Sequence, residues 1–211
     1  MWRFDIDLDS SNNPRFPSEP IKLATIGADQ PIFASMATVS VGPKQYLFFG
    51  TGSDLLPTVG QNTTFKLVGV VDNGGSGTIT FQHTLATVDG IGDDEVVSSF
   101  PAVAGDIVFF TTTTLKPQNP CAMPDANLYA LTFVGSAAYD SDADANSTVG
   151  ATESPRVKTL AAAGRATAPF IVDQHLVFGA GNSVQVFGDA NDYNNGVGHV
   201  GVRILSWRDL R

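Results

Sequence analysis

The densest group of potential metal ligands in the sequence is an acidic stretch near residue 140. Asp140, Asp142 and Asp144 alternate with small residues, and Asn146 follows at the next alternate position. Calcium is commonly bound by carboxylate and amide oxygens spaced in this way along one loop. The spacing therefore predicts a calcium site formed by Asp140, Asp142, Asp144 and Asn146.

The same stretch departs from the EF-hand calcium loop at two positions. The sixth residue is Ala145, where a glycine makes the sharp turn, and the twelfth is Ala151, where a bidentate glutamate is expected. Residues 136–154 are also polar, rich in Ala and Ser, and without a core pattern, as is typical of solvated chain. A flexible acidic insertion over 136–154 is therefore the alternative to a metal site.

Other groups that support catalysis are scattered along the chain. His83, His175 and His199 are far apart, and the sole cysteine, Cys121, is too distant in sequence to complete a zinc motif with any of them. The carboxylates of Asp89–Glu95 lie in a segment that is typical of a turn between strands. The sequence therefore predicts no enzyme, no catalytic residues and no cofactor other than calcium.

Composition indicates an all-β chain, and few Lys and Glu with abundant Thr, Ser, Asn and Gly suit an exported protein. Gly 21, Pro 12 and Phe 14, without a long run at helical spacing, favour many short strands. The net charge of −9, almost all of it from Asp, disfavours nucleic acid and anionic membrane surfaces as partners. No apolar stretch approaches the roughly 18 residues of a membrane span. Cys121 has no partner for an internal disulfide, so it pairs outside this chain or is a small buried residue.

Three stretches of the chain repeat one pattern, which sets the elements around these residues. Each has a small-residue strand, a short turn, a Val- and Phe-rich strand, a glycine-containing bend and a third strand. Ala37, Ala102 and Ala168 mark them at spacings of 65 and 66 residues. The pattern predicts a partial β-propeller of about three four-stranded antiparallel blades with long loops, in one domain over 1–211. The approximate repeats are 28–72, 96–134 and 163–211.

The two ends of the chain supply the expected outer strands. Trp2-Arg3-Phe4 and Ile204 to Arg208 fit the fourth strand of a blade. An open stack of blades leaves apolar faces at its ends, and strands such as Val108-Phe109-Phe110 are apolar on both sides. We therefore expect the remaining blades of a parent propeller, or another chain, to cover those faces.

These segments resemble one protein family. Met1-Trp2-Arg3-Phe4-Asp5-Ile6 resembles the N-(L/M)-W-R-F-D-L strand of the PilC/PilY family of type IV pilus tip-associated adhesin and biogenesis proteins. Leu47 to Gly52 is similar to its (V/I)-x-F-G-T-G blade, and Arg203 to Leu210 is similar to its R-x-S-W-R-E ending. The resemblance covers most of this chain and only the C-terminal part of the family architecture.

The resemblance implies an exported protein at the cell surface or on the pilus, with a periplasmic or outer-membrane pool. The C-terminal propeller of the family supports pilus assembly and controls retraction, partly through calcium, and its partners are minor pilins or the pilus tip. The adhesive N-terminal half and the family's calcium loop have no counterpart in this sequence. We therefore expect a non-enzymatic structural and interaction module that supports pilus assembly and adhesion.

Two other interpretations remain open at this point. The first is an independent extracellular β-domain that binds calcium or glycans and shares only the propeller repeat. The second is a fragment of a quinoprotein dehydrogenase propeller, which has similar repeats. Its cofactor binds on the axis of a complete ring, and about three blades do not enclose an axis.

Overall fold

The structure, a computed structural model, describes residues 1–16, 18–52, 64–85, 87–88, 93–116, 119, 121–139, 149, 153–172 and 175–188. Every regular element in these residues is a β-strand, which confirms the all-β prediction. The first nine strands are β1 (Trp2–Arg3), β2 (Asp7–Leu8), β3 (Pro14–Arg15), β4 (Ile21–Lys22), β5 (Ala37–Val41), β6 (Lys44–Gly50), β7 (Lys66–Asp72), β8 (Gly77–Thr84) and β9 (Thr87–Val88). The others are β10 (Asp93–Val96), β11 (Ala102–Ala104), β12 (Ile107–Thr114), β13 (Asp125–Thr132), β14 (Arg156–Leu160), β15 (Phe170–Val172), β16 (His175–Ala180) and β17 (Ser183–Phe187).

Most strands form three antiparallel sheets that follow one another along the chain. Sheet I is the meander β5–β6–β7–β8, in which each strand pairs with the next. Sheet II contains the meander β11–β12–β13–β14, and β10 pairs with the far end of β12 and with β9. Sheet III is the meander β15–β16–β17. The short pairs β1–β4 and β2–β3 precede them.

Two residues separate the first strand from the second in each of the three meanders, at 42–43, 105–106 and 173–174. This shared spacing aligns the three sheets. Tyr46, Phe109 and Val177 become equivalent, and they define what we call the forward face of each sheet. Their neighbours Leu47, Phe110 and Phe178 lie on the opposite, backward face, because side chains alternate along a strand. In this alignment the residue equivalent to Ala37 and Ala168 is Phe100. The sequence-based alignment placed Ala102 there, so it was displaced by two residues.

Sheets I and II pack face to face through the largest apolar cluster. Phe48 and Leu67 on the forward face of sheet I meet Phe110, Tyr129 and Leu131 on the backward face of sheet II. All five side chains are almost completely buried. Gly69 of β7 permits this packing, because a Cβ there would collide with the ring of Phe81.

Sheets II and III repeat the arrangement. Phe109 and Leu128 on the forward face of sheet II pack against Leu176 and Phe178 on the backward face of sheet III. Sheet II is therefore covered on both sides, and every residue of β12 is buried. This double burial explains the continuous apolar and Thr-rich sequence of β12.

The N-terminal segment covers the backward face of sheet I. Leu23 and Ala24 join Phe49, Val68 and Val70 in a separate apolar cluster. The segment also crosses close to β8, since a Cβ on Gly77 would collide with the backbone of Leu23. One end of the stack of sheets is thus closed by the chain itself.

The first strands of the three meanders lie next to one another. Strand β5 contacts β11, and β11 contacts β15. One side of the stack is therefore formed by first strands.

The glycine-containing bend after β6 is fixed by packing and hydrogen bonds. Gly50 lies against Val97, whose side chain occupies the space that a Cβ on Gly50 would need. The buried Thr51 hydroxyl donates to Gln30 Oε1 at 2.7 Å and accepts from the Lys66 amide at 2.8 Å. The bend thereby joins sheet I to the segment that leads into sheet II.

Candidate functional site

The predicted calcium ligands cannot be placed. Asp140, Asp142, Asp144 and Asn146 all lie outside the described residues, as do most of the other positions between 140 and 152. They belong to the connection between β13 and β14. Elsewhere in the described part of the chain, no group of three or more His, Cys, Asp or Glu side chains is arranged to hold a metal ion.

A buried carboxylate, Glu95, forms the centre of the main polar cluster in the described residues. Its side chain is completely enclosed between sheets I and II. One carboxylate oxygen, Oε1, accepts hydrogen bonds from the Thr112 hydroxyl and, at 3.0 Å, from the Asn127 amide. A buried charge is tolerated only when its oxygens are paired in this way.

The second oxygen of Glu95 is held by two larger side chains. The Tyr129 hydroxyl donates to Oε2 at 3.0 Å, and Arg156 Nη2 donates to the same atom at 2.6 Å. Arg156 Nε also donates to the Tyr129 oxygen at 2.7 Å, and its guanidinium lies over the Tyr129 ring. Burial and the Glu95 charge raise the pKa of Tyr129, so the phenol keeps its proton.

The strand register explains why these side chains meet. Thr112 lies opposite Asn127, and Tyr129 lies opposite Arg156, so three strands of sheet II contribute to one face. Glu95 reaches that face from β10, which pairs with the end of β12. The cluster therefore fastens β10, and with it the connection from sheet I, to sheet II.

His83 borders the cluster from sheet I. Its ring centroid lies 5.6 Å from that of Tyr129. Burial, followed by the positive charge of Arg156, lowers the pKa of His83. A neutral His83 is therefore favoured at the interface between sheets I and II.

The sequence did not reveal this cluster. Glu95 was expected in a turn with Asp89 to Asp94, whereas it lies in strand β10 and is buried. The sequence gives one weak indication that Glu95 is in a buried strand, which is that it directly precedes the apolar residues Val96 and Val97. The partners are 17 to 61 residues away in sequence, so no local spacing connects them.

A second ion-paired group holds the N-terminal strand. Arg3 Nη1 donates to the buried carboxylate of Asp72 at 2.5 Å, and Nη2 donates to the Gly74 carbonyl at 2.6 Å. Asp72 and Gly74 belong to the end of β7 and the hairpin that follows it. The contact fixes β1 to sheet I, although β1 is shorter than the predicted Met1 to Ile6 strand and pairs with β4.

The forward face of sheet III is an exposed apolar surface in the described residues, as are Trp2, Phe4, Ile6, Leu8 and Phe16 in the N-terminal segment. Its apolar side chains are Phe170, Val172, Val177, Val184 and Val186, which share one side of three paired strands. Phe170 is 52% exposed and Val184 is 73% exposed, while Leu176 and Phe178 on the other side of the sheet are buried. Among the described residues, nothing packs over this face.

The remaining sequence candidates do not meet. His175 begins β16, His83 lies between sheets I and II, and His199 falls outside the described residues. Cys121 is exposed, so the buried alternative does not apply to it. No helix in the described residues is long and apolar enough to cross a membrane.

Comparisons of the chain with protein-family models, with curated proteins and with solved structures find no match. The resemblance to the PilC/PilY family therefore remains a prediction from the motifs themselves.

Proposed function

We propose that this chain is a non-enzymatic structural and interaction module of a cell-surface type IV pilus tip or pilus-biogenesis protein. In this proposal sheets I, II and III are consecutive blades of a β-propeller. The module supports pilus assembly and adhesion, and its partners are further blades or another chain, together with minor pilins or the pilus tip.

One observation carries the propeller part of the proposal. Three antiparallel meanders stack in chain order through equivalent faces, and their first strands are neighbours. Radial repetition of small sheets around an axis requires both features. The pilus assignment is supported by the motifs at Met1 to Ile6, Leu47 to Gly52 and Arg203 to Leu210.

The non-enzymatic part of the proposal is supported by how the buried polar groups are used. Each oxygen of Glu95 already accepts two hydrogen bonds from neighbouring strands. A carboxylate occupied in this way holds strands together and has little capacity left to accept a substrate proton.

The native size of the polypeptide tests the proposal. An antibody against residues 1–211 is applied to whole cells and to surface-sheared material, with a cytoplasmic protein as the fractionation control. We expect a sheared band several times larger than 22.2 kDa. A band that stays with the unsheared cells would contradict a pilus-associated location, and a band at 22.2 kDa would contradict a larger parent ring.

Calcium is part of the proposal and is tested separately. Asp140, Asp142, Asp144 and Asn146 are expected to bind it, so calcium should raise the melting temperature and a chelator should lower it. The variant with both Asp142→Ala and Asp144→Ala should lose this difference. An equal melting temperature with calcium and chelator in the parent chain would remove the site.

A further inference from the structure

The hairpin between β7 and β8 contains a pair of residues that can undergo a spontaneous chemical modification. Asn73 is followed directly by Gly74, and both residues are exposed. In an Asn-Gly pair the glycine nitrogen can attack the preceding side-chain amide, because glycine has no Cβ to hinder the approach. Space is free here as well, since a Cβ built on Gly74 would meet no atom within 4 Å. The pair therefore has the exposure and the room that deamidation requires.

Deamidation of such a pair takes two steps, with water as the only co-reactant. Gly74 N gives up its proton to solvent and forms a bond to Asn73 Cγ, while the side-chain nitrogen takes up solvent protons and leaves as ammonia. Water then opens the resulting cyclic imide at either of its two carbonyls. The products are an aspartate or an isoaspartate at position 73, and each adds one negative charge.

The side-chain amide of Asn73 is only weakly held. Its Nδ2 lies 3.5 Å from the Thr78 hydroxyl oxygen, which is at the limit of a hydrogen bond. The backbone of Asn73 is held more firmly, since its N–H donates to the Ser76 carbonyl at 2.9 Å. The side chain is therefore able to turn toward Gly74 while the hairpin stays closed.

The attacking nitrogen, by contrast, is restrained by a carboxylate. Gly74 N donates to Asp72 Oδ1 at 2.8 Å. Arg3 Nη1 donates to the other oxygen of Asp72 at 2.5 Å, and the Asp72 side chain is only 4% exposed, so the carboxylate is fixed in place. An amide that donates to a carboxylate is harder to deprotonate, because the anion that forms would face a like charge.

We propose that Asn73 is a deamidation site whose rate is set by the Asp72 carboxylate through its hydrogen bond to Gly74 N–H. The reaction proceeds from the fraction of molecules in which this hydrogen bond is open, as amide hydrogen exchange does. Arg3 and Asp72 are 69 residues apart in sequence, so the fixed carboxylate is a property of the fold and not of the local sequence.

Peptide mapping by mass spectrometry, on protein incubated at neutral pH, tests the proposal. Asp72→Ala should raise the rate at Asn73 at least about tenfold, because the amide loses a charge-assisted hydrogen bond. Asp5→Ala is the matched control. Asp5 also pairs with Arg3, at 2.8 Å, whereas the Gly74 amide donates to Asp72, so the control should leave the rate unchanged.

Two further measurements keep the test valid if Asp72→Ala unfolds the chain. Asp72→Asn retains a side-chain oxygen without its charge, so its rate should lie between those of the parent and the denatured chain. The parent chain denatured in urea should deamidate at Asn73 at least about tenfold faster than the folded parent. Asn195-Gly196 is the other Asn-Gly pair of the sequence, and peptide mapping reads the two separately.

Three results would overturn the proposal. The first is no deamidation at Asn73 in the denatured parent. The second is equal rates in the folded and denatured parent. The third is the same rate in Asp5→Ala as in folded Asp72→Ala, which would mean that loss of a negative charge, and not loss of the Gly74 acceptor, controls the reaction. None of these results depends on the parent ring or on the pilus assignment.

Discussion

Sheets II and III are built from the same repeat but occupy different environments. Sheet II is packed on both faces, and its buried Glu95 is paired with side chains from three neighbouring strands. Sheet III is packed on its backward face and open on its forward face. The comparison shows that an apolar sequence pattern alone does not distinguish a buried sheet face from an exposed one.

Substitution of one phenylalanine on each face of sheet III gives the largest expected contrast. Phe178→Ala removes a buried ring from the cluster between sheets II and III, and should cost about 3–5 kcal/mol in free energy of unfolding. Phe170→Ala, on the open face, should cost under about 1 kcal/mol. Denaturant unfolding of both variants measures the difference. Equal losses would mean that the forward face is covered.

Loss of the Glu95 carboxylate should be the next largest effect. Glu95→Ala leaves Asn127, Tyr129 and Arg156 without their shared acceptor. We expect a loss of about 2–3 kcal/mol in unfolding free energy, since Arg156 retains partial access to water.

The same unfolding experiment on Glu19→Ala controls for the removal of a glutamate, because Glu19 is exposed. Glu19→Ala should change the unfolding free energy by less than about 0.5 kcal/mol. If Glu95→Ala is as mild as Glu19→Ala, Glu95 does not fasten β10 to sheet II.

Substitution of Gly50 tests how tightly the segment before β11 is joined to sheet I. In Gly50→Ala the added methyl group must displace the Val97 side chain, so we expect a loss of about 1–3 kcal/mol. Because Val97→Ala makes room for the added methyl group, the double variant should lose less than the sum of the two single losses. A double variant that is less stable than the sum of the two single variants would contradict the close contact.

A pH dependence from His83 should be the smallest effect. The pKa of His83 is lowered in the folded chain, so the unfolded chain takes up a proton first as the pH falls below about 6.5. Its contribution to stability is therefore complete above that pH and declines in acid.

Melting temperatures at pH 7 and pH 5.5 measure the His83 effect. The decrease between them should be smaller in His83→Gln than in the parent chain. An identical decrease in the parent and in His83→Gln would exclude His83 as a source of acid sensitivity.

Much of the local structure followed from the sequence. The Val- and Phe-rich strands and their partners were predicted within a few residues, because alternation and short turns act locally. The alignment of repeats on Ala102 was displaced by two residues, since small residues recur on the same face every second position.

The long-range features did not follow from the sequence. The partners of Glu95 come from three different strands, and the pairing of β10 with the far end of β12 brings Glu95 to them. Two terminal open faces were expected, yet Leu23 and Ala24 cover one of them. Such closure depends on the path of an irregular segment, which carries no periodic signal.

Hydrogen exchange measured by mass spectrometry on the unmodified chain tests most directly whether sheet II is enclosed and sheet III is open on one face. The account predicts that amides of β12 and β13 exchange only through global unfolding, while those of β17 exchange faster through local opening. Peptides from 107–114 and 183–187 give the two rates. Equal, slow exchange in both peptides at low protein concentration would contradict the account.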